Sequence, residues 1–416
     1  MDYSPVLGYI ADYWPRIIRH VPREQGTLIG LPRPYLVPSD GSLFQEMYYW
    51  DSYFMALGLV GTPHEQLILD MTENLAHLFR RFGVIPNASR YYFLSRSQPP
   101  FFMPLVWLAY EAKLRRGDDD CTPWLRRMLA LAEREHDTVW MGTRQPHHRL
   151  VHAGLSRYFD VNYLDILAGC ESGWDHTTRC DERWLDHLPV DLNSILYANE
   201  RSFARAALLL GQRSPARRWE MWAEERERQM QRLLWDPELG FFCDYDYVHE
   251  QRNSHLSLAG FYPLWAGLAT AAQAERMVRD MLPRFRFPGG LVTTLKERTD
   301  RQWAFPNGWA PLQWIVVAGL ESYGYVGEAR AIMTAWCDNC AAVFERTDTM
   351  WEKYNVVSVG ALPEAGLYGT MGGFGWSNAV FADFARRLAT PSAAAEPLPL
   401  PAIQEWTAPT AVAEGA

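Results

Sequence analysis

Apolar residues recur at spacings of three and four along most of the chain, most clearly over His64 to Phe82, Pro104 to Arg116, Thr122 to His136, Asp191 to Leu210, Pro215 to Leu234, Ala271 to Leu282 and Gly327 to Arg346. That spacing gathers apolar side chains on one face of a 3.6-residue turn, so each stretch predicts an amphipathic helix. Between them lie clusters of Gly, Pro and Asn, few alternating β-branched runs and no phosphate-binding strand-turn-helix loop. The expected fold class is therefore all-α. About six helical hairpins in succession, with unusual polar-aromatic segments recurring at the linkers, suit a closed double ring of helices whose loops converge on one end. No strict sequence repeat marks the ring, which rests on the pattern alone. One domain over residues 1–388 is expected. The stretch from Ala389, ATPSAAAEPLPLPAIQEWTAPTAVAEGA, is rich in Ala and Pro and poor in core-building residues, which predicts a mobile tail over 389–416.

Charge narrows the partners. A formal net charge of −9 argues against a nucleic acid or an anionic membrane, both of which need a basic face. A small neutral or modestly charged molecule fits better, and the 18 tryptophans supply the flat faces on which sugar rings rest. The six cysteines are scattered, and Cys337 and Cys340 make one CxxC without a second pair or nearby His cluster. They read as two thiols on one helical turn in a reducing compartment. The amino terminus, MDYSPVLGYIADYWPRIIRH, has no apolar run of leader length, and no stretch has the length of a membrane span. The expectation is a soluble cytoplasmic protein without metal or cofactor, as a monomer or a homo-oligomer.

Five segments concentrate polar and aromatic side chains: FQEMYYWDSYF from Phe44, IPNASRYYFLSRSQPP from Ile85, ESGWDHTTR from Glu171, QWAFPNGWAP from Gln302 and WEKYN from Trp351, the last followed by GGFGWSN from Gly372. Cleaving a glycosidic bond needs a proton for the leaving oxygen and either a nucleophile or a base-activated water, hence two carboxyl groups. Asp175, beside Trp174, suits the acid, because an apolar wall disfavours its ionised form. Glu352, beside Lys353, suits the base, because an adjacent cation favours the carboxylate; Lys353 is one of three lysines in the chain.

Asp51 is a third candidate. An acid within the Tyr49, Trp50 and Phe44 segment is costly to bury alone, so it either meets an arginine or accepts hydrogen bonds from sugar hydroxyls. Arg96 and Gln98 sit where two prolines pre-order the loop, with Tyr91 upstream and Arg157 in a similar LSRYFD setting; such groups hold a carboxylate or donate to hydroxyls. Gln302 and Asn307 offer amides, Trp303 and Trp309 flat faces, and the glycines before Trp376 a loop that brings an indole over the pocket.

As a set, these motifs, with VDLNSILY from Val190, WDPELGFFCDYD from Trp235 and GGLVTTL from Gly289, resemble the trehalase family and the related family 63 α-glycosidases over roughly residues 40 to 380. The resemblance implies an (α/α)6 barrel, inversion of anomeric configuration, a general acid at Asp175 and a general base at Glu352. The chain also departs from trehalases. The run Gly41-Ser42-Leu43-Phe44 lacks their arginine, the stretch from Leu155 to Glu171 lacks their PRPES, and Ala304 stands where they have Asp. In those respects it is more similar to mannosylglycerate and glucosylglycerate hydrolases. The expected reaction is thus hydrolysis of an α-linked hexosyl glycerate, with trehalose hydrolysis or a broader α-glucosidase as the alternative. A silent sugar-binding protein would bind without turnover; a helical isomerase or epimerase would need a histidine base, and only His176 lies in a motif.

Overall fold

The computed structural model describes residues 1–145, 147–296, 300–362 and 369–390. Its helices, in chain order, are α1 (Ser4–Ile17), α2 (Tyr49–Leu57), α3 (Gln66–Phe82), α4 (Phe102–Arg116), α5 (Cys121–Glu135), α6 (Asp165–Glu171) and α7 (Val190–Leu209). They continue with α8 (Arg213–Leu233), α9 (Tyr262–Trp265), α10 (Ala271–Arg276), α11 (Leu282–Phe285), α12 (Ala310–Ser322), α13 (Val326–Thr347) and α14 (Gly375–Ala389). Strands among the described residues are two or three residues long and pair in small antiparallel ribbons. The fold is mostly helical, as expected.

Two kinds of helix make it up. In α8 the buried positions are Ala216, Trp219, Ala223, Arg226, Met230 and Leu233, alternating by three and four, and this stripe packs on α7. In α2 every residue is buried, and α12 is buried from Ala310 to Val317 without a polar face. A helix enclosed on all sides has no stripe to display; the amphipathic pattern marks α3, α5, α8 and α13, and also α4 and α7, and misses α2, α12 and α14. The buried helices contact one another in a cycle: α2 with α4, α4 with α7, α7 with α9, α9 with α12, α12 with α14, and α14 with α2. The striped ones lie against them, α3 and α5 on α4, α8 on α7 and α13 on α12 and α14.

Element ends follow local chemistry. Gly83 closes α3 in the left-handed region at φ 72°, its N–H on the Phe79 carbonyl. The expected helix over 271–282 starts at a capping box between Thr270 and Gln273 but is interrupted by a π-turn at Met277–Met281, after which Pro283 restarts it as α11. The helix α14 runs to Ala389, the first residue of the tail expected over 389–416, and the part of that tail from residue 391 onward lies outside the described residues.

Four of the five segments end at the amino terminus of a buried helix, FQEMYYWDSYF running into α2, SRSQPP into α4, QWAFPNGWAP into α12 and GGFGWSN into α14. The contacts between Trp50, Phe101, Trp303, Trp309 and Trp376 show these ends converging.

Candidate active site

A column of stacked side chains forms the wall of the site. The strand Asn307–Trp309 pairs antiparallel with Lys353–Asn355, placing Trp309 opposite Lys353, whose ammonium lies 5.3 Å from the Trp309 ring. Trp309 stacks on Trp303 with centroids 3.8 Å apart and planes 4° from parallel. Trp303 stacks in turn on Trp174 at 5.6 Å, and Arg179 lies 4.8 Å from the Trp174 ring. Two cations thus bracket three indoles, an arrangement the ring quadrupole favours. The column is pinned at its edges: Trp309 Nε1 donates to the Gln302 carbonyl at 3.1 Å, Trp303 N to the His176 carbonyl at 3.2 Å, and Thr177 Oγ1 to the Trp303 carbonyl at 2.9 Å.

Asp175 leaves this column at a tightly constrained turn. Gly173, at φ 74°, packs on Trp50, and a Cβ there would come within 2.6 Å of the indole. His176, at φ 59°, is also left-handed, a conformation that persists for such a residue only where the surroundings enforce it. Gln302 Nε2 donates to the Asp175 carbonyl at 3.2 Å. Burial pushes the Asp175 carboxyl up to about 6; Arg96 and a hydrogen bond from Cys170 pull it down, and the charge of Glu352 pushes it up again.

Glu352 is 1% exposed, its Oε2 taking a hydrogen bond from Lys353 Nζ at 3.0 Å. Its carbonyl accepts from Trp376 Nε1 at 2.9 Å and Ser377 Oγ at 3.3 Å, and its amide donates to the Met371 carbonyl at 2.9 Å. Asp51, in the first turn of α2, is buried. Burial holds its carboxyl well above the usual range, and the charges of Asp175 and Glu352 add to that. Of the two fates foreseen for Asp51, a guanidinium partner is absent among the described residues. Asp51, Asp175 and Glu352 therefore share one electrostatic neighbourhood.

The other expected residues divide. Trp50, Trp174, Trp303, Trp309 and Trp376 cluster around the acids, as do Arg96, through its effect on Asp175, and Phe44, whose ring lies 6.0 Å from that of Phe374. Arg96 Nη1 reaches Asp160 Oδ2 at 3.3 Å, while its Nε is buried without a partner. Gln302 Oε1 and Asn307 Oδ1 are likewise buried and unpartnered, and Asn307 Nδ2 donates to the Gln302 carbonyl at 3.1 Å. Gln98 is turned to the backbone, accepting from Trp50 N at 3.1 Å.

Three residues take other partners than the expected sugar. The Tyr49 hydroxyl donates to Glu135 at 2.9 Å and accepts from Phe102 N at 3.2 Å. Arg157 donates to the carbonyls of His147, His148 and Leu185 and to the Tyr247 hydroxyl, tying loops together. Tyr91 is 38% exposed, its hydroxyl accepting from Arg81 at 2.8 Å.

Sequence reasoning missed Tyr48, Phe374 and Cys170. Tyr48 precedes α2 in extended conformation, so it, and not Tyr49, feels the charges of Asp51 and Asp175. Only the helix start distinguishes the two tyrosines. Phe374 lies 4.7 Å from Trp376 within the segment already singled out. Glu171, first residue of ESGWD, is structural: it accepts from Ser97 N at 2.6 Å and Phe159 N at 2.7 Å and pairs with Arg149. Among the described residues no group of three His, Cys, Asp or Glu side chains could hold a metal ion, and no helix is long and apolar enough to cross a membrane.

Comparison with known proteins adds four findings. The sequence model of one family, Trehalase, matches residues 5–164 and 160–389. A periplasmic trehalase of Xanthomonas campestris pv. campestris is 36% identical over 411 residues, covering 89% of this chain and 71% of the relative. A neutral trehalase from Saccharomyces cerevisiae superposes with a TM-score of 0.74 at 28% identity, over 85% of this chain and 73% of that one. A family 63 mannosylglycerate hydrolase from Thermus thermophilus superposes at 0.67, over 92% of this chain and all of that one, but at 20% identity it speaks to fold alone. The expected cytoplasmic location is overturned, since the curated relatives are named periplasmic trehalases. Five of the six cysteines, all but Cys170, are buried.

Proposed function

Because the chain belongs to the trehalase family, and is a glycoside hydrolase, we propose that its substrate is α,α-trehalose, cleaved to two glucose molecules with inversion. The observation that carries the mechanism is the shared neighbourhood of Asp175 and Glu352, in which Asp175 keeps its proton up to about pH 6 while Lys353 holds Glu352. Asp175 protonates the glycosidic oxygen, and Glu352 takes a proton from the water that attacks the opposite face of the anomeric carbon. Asp51 accepts from sugar hydroxyls. The cycle of buried helices inside striped ones supports an (α/α)6 barrel. The relatives' names favour trehalose over the glycerate glycosides first expected, and they support a periplasmic location, testable by cell fractionation.

The test is proton NMR of fresh digests. Inversion at one carbon of trehalose yields β-glucose while the leaving glucose stays α, so both anomers appear in equal amounts before mutarotation; a retaining enzyme releases α-glucose alone. Release of hexose from mannosylglycerate or glucosylglycerate, with trehalose left intact, would overturn the substrate assignment.

A further inference from the structure

Asp160 has no place in the mechanism above, yet it is fully buried and its carboxylate collects four donors. Oδ1 accepts from Asn162 N at 2.9 Å and Asn162 Nδ2 at 2.7 Å, and Oδ2 from Ser95 Oγ at 2.7 Å and Arg96 Nη1 at 3.3 Å. Burial pushes this carboxyl up, but the donors outweigh it and hold it below its ordinary range, so the group that meets Arg96 is an anion near neutrality. The main chain makes the same tie: Val161 N donates to the Ser95 carbonyl at 3.0 Å, and Tyr163 N to the Asp160 carbonyl at 2.9 Å. Arg96 in turn belongs to the wall of the site. The two residues after it reach that wall, Ser97 N donating to Glu171 at 2.6 Å and Gln98 Oε1 accepting from Trp50 N at 3.1 Å. Its guanidinium lies 5.2 Å from the Phe93 ring, Phe93 lies 6.0 Å from Tyr48, and Tyr48 5.9 Å from Phe44. Nη1 is engaged by Asp160 and Ser95, while Nε is buried and has no partner. Leaving a buried N–H unsatisfied costs free energy, so it calls for an acceptor that arrives from outside.

We infer that Asp160 is a positioning residue for Arg96: by gripping Nη1 it fixes the plane of the guanidinium, so that the Nε–H edge is presented to a hydroxyl of the bound substrate. A guanidinium is a rigid planar fork, and anchoring one of its nitrogens orients the others. Without that anchor the long side chain spreads over several rotamers, and binding must then pay to order it. Being wholly enclosed, Asp160 acts through Arg96 and not on the sugar. The inference rests on the reading of this pocket as the substrate site of a glycoside hydrolase.

The experiment is a double-mutant cycle in the full chain: parent, Asp160→Asn, Arg96→Met and the two together, with Arg96→Lys beside them. Each is read as kcat and KM on whichever of trehalose, mannosylglycerate and glucosylglycerate the parent cleaves. Asp160→Asn is expected to lower kcat/KM by about tenfold, mostly through KM, since Arg96 binds and moves no proton. Arg96→Met is expected to lower it by about a hundredfold. The double variant should fall no lower than Arg96→Met alone, because a residue that acts through Arg96 then has nothing left to act on. Losses that multiply in the double variant show Asp160 working independently of Arg96 and overturn the inference, as does an Asp160→Asn variant with the parent's kcat/KM. Should Asp160→Asn fail to fold, Arg96→Lys decides, because it keeps the charge and loses the fork. Parental kcat/KM in that variant overturns the inference, and a loss like that of Arg96→Met supports it. Cleavage of a glycerate glycoside with trehalose left intact overturns the substrate reading instead, and the cycle is then read on that glycoside.

Discussion

Two groups of buried acids lie near the indole column, and the protein treats them in opposite ways. At one end Arg179 forks onto Asp191 at 2.6 and 2.9 Å and onto Asp244 at 2.7 Å through each of two nitrogens. Burial alone pushes Asp244 up, but the charge and hydrogen bonds of Arg179 outweigh it and hold the carboxyl below its ordinary range. Asp51 and Asp175, no less enclosed, have no arginine fork among the described residues, and both stand above their ordinary range. Burial is common to the two groups; what separates them is whether the protein supplies the partner. Closed acids hold the structure, and open ones await a ligand.

The largest effects should fall on turnover. Asp175→Asn and Glu352→Gln are expected to lower kcat by about a thousandfold or more; thermal unfolding of Asp175→Asn should show no destabilisation, whereas Glu352→Gln takes the carboxylate from buried Lys353 and should unfold earlier. A near-normal rate in either variant would break the comparison. On the closed group the loss should appear in stability: Arg179→Met strands two buried carboxylates and should cost about 3–5 kcal/mol in urea unfolding. A variant as stable as the parent would show that this end is not a structural lock.

Asp51→Asn sharpens the contrast, because it should lose activity and gain stability together. Its folded carboxyl binds its proton more tightly than the unfolded chain does, so near neutrality ionisation weighs against the fold. Relief of that term should raise the unfolding midpoint at pH 7, alongside a fall in kcat/KM of about one to two orders of magnitude. An unchanged rate would make Asp51 structural.

The smallest effect is a pH dependence. Asp175 is raised from 3.8 to about 6, so its favourable contribution to stability is complete below the unfolded value and is lost as pH rises through about 6. In the same window kcat/KM should begin its alkaline fall. Titration of activity and of unfolding midpoint, each against the Asp175→Asn variant, checks both; a limb that persists unchanged in the stability profile of that variant assigns it to another group.

This contrast also explains what could be read from the chain in advance. The striped helices α3, α5, α8 and α13 declare themselves through spacing, because one side faces solvent. The enclosed helices α2 and α12 do not, because uniform apolarity has no period. The acids Asp175 and Glu352 were legible from their tryptophan and lysine neighbours in sequence. The roles of Tyr49 and Arg157 were not, since a tyrosine in an aromatic run gives no hint that its hydroxyl meets Glu135, 86 residues further along the chain, nor an arginine that three carbonyls converge on it. Departures such as Leu43 and Ala304 pointed away from trehalases, whereas identity spread over the whole chain points back to them. A few positions near a ligand carry less weight in identifying the family than the many that build its frame.

The column has one more property. Indoles as close and as parallel as Trp303 and Trp309 share their electronic excitations, so their absorption splits into coupled bands whose rotational strength depends on the angle between them. With Trp174 as a third member and Lys353 and Arg179 at either end, this wall of the site is itself a chromophore. A sugar that settles against it, or a change in the charge borne by Glu352 beside Lys353, should register in the near-ultraviolet circular dichroism without any label. Occupancy of the site could thereby be followed optically in the inactive Asp175→Asn protein.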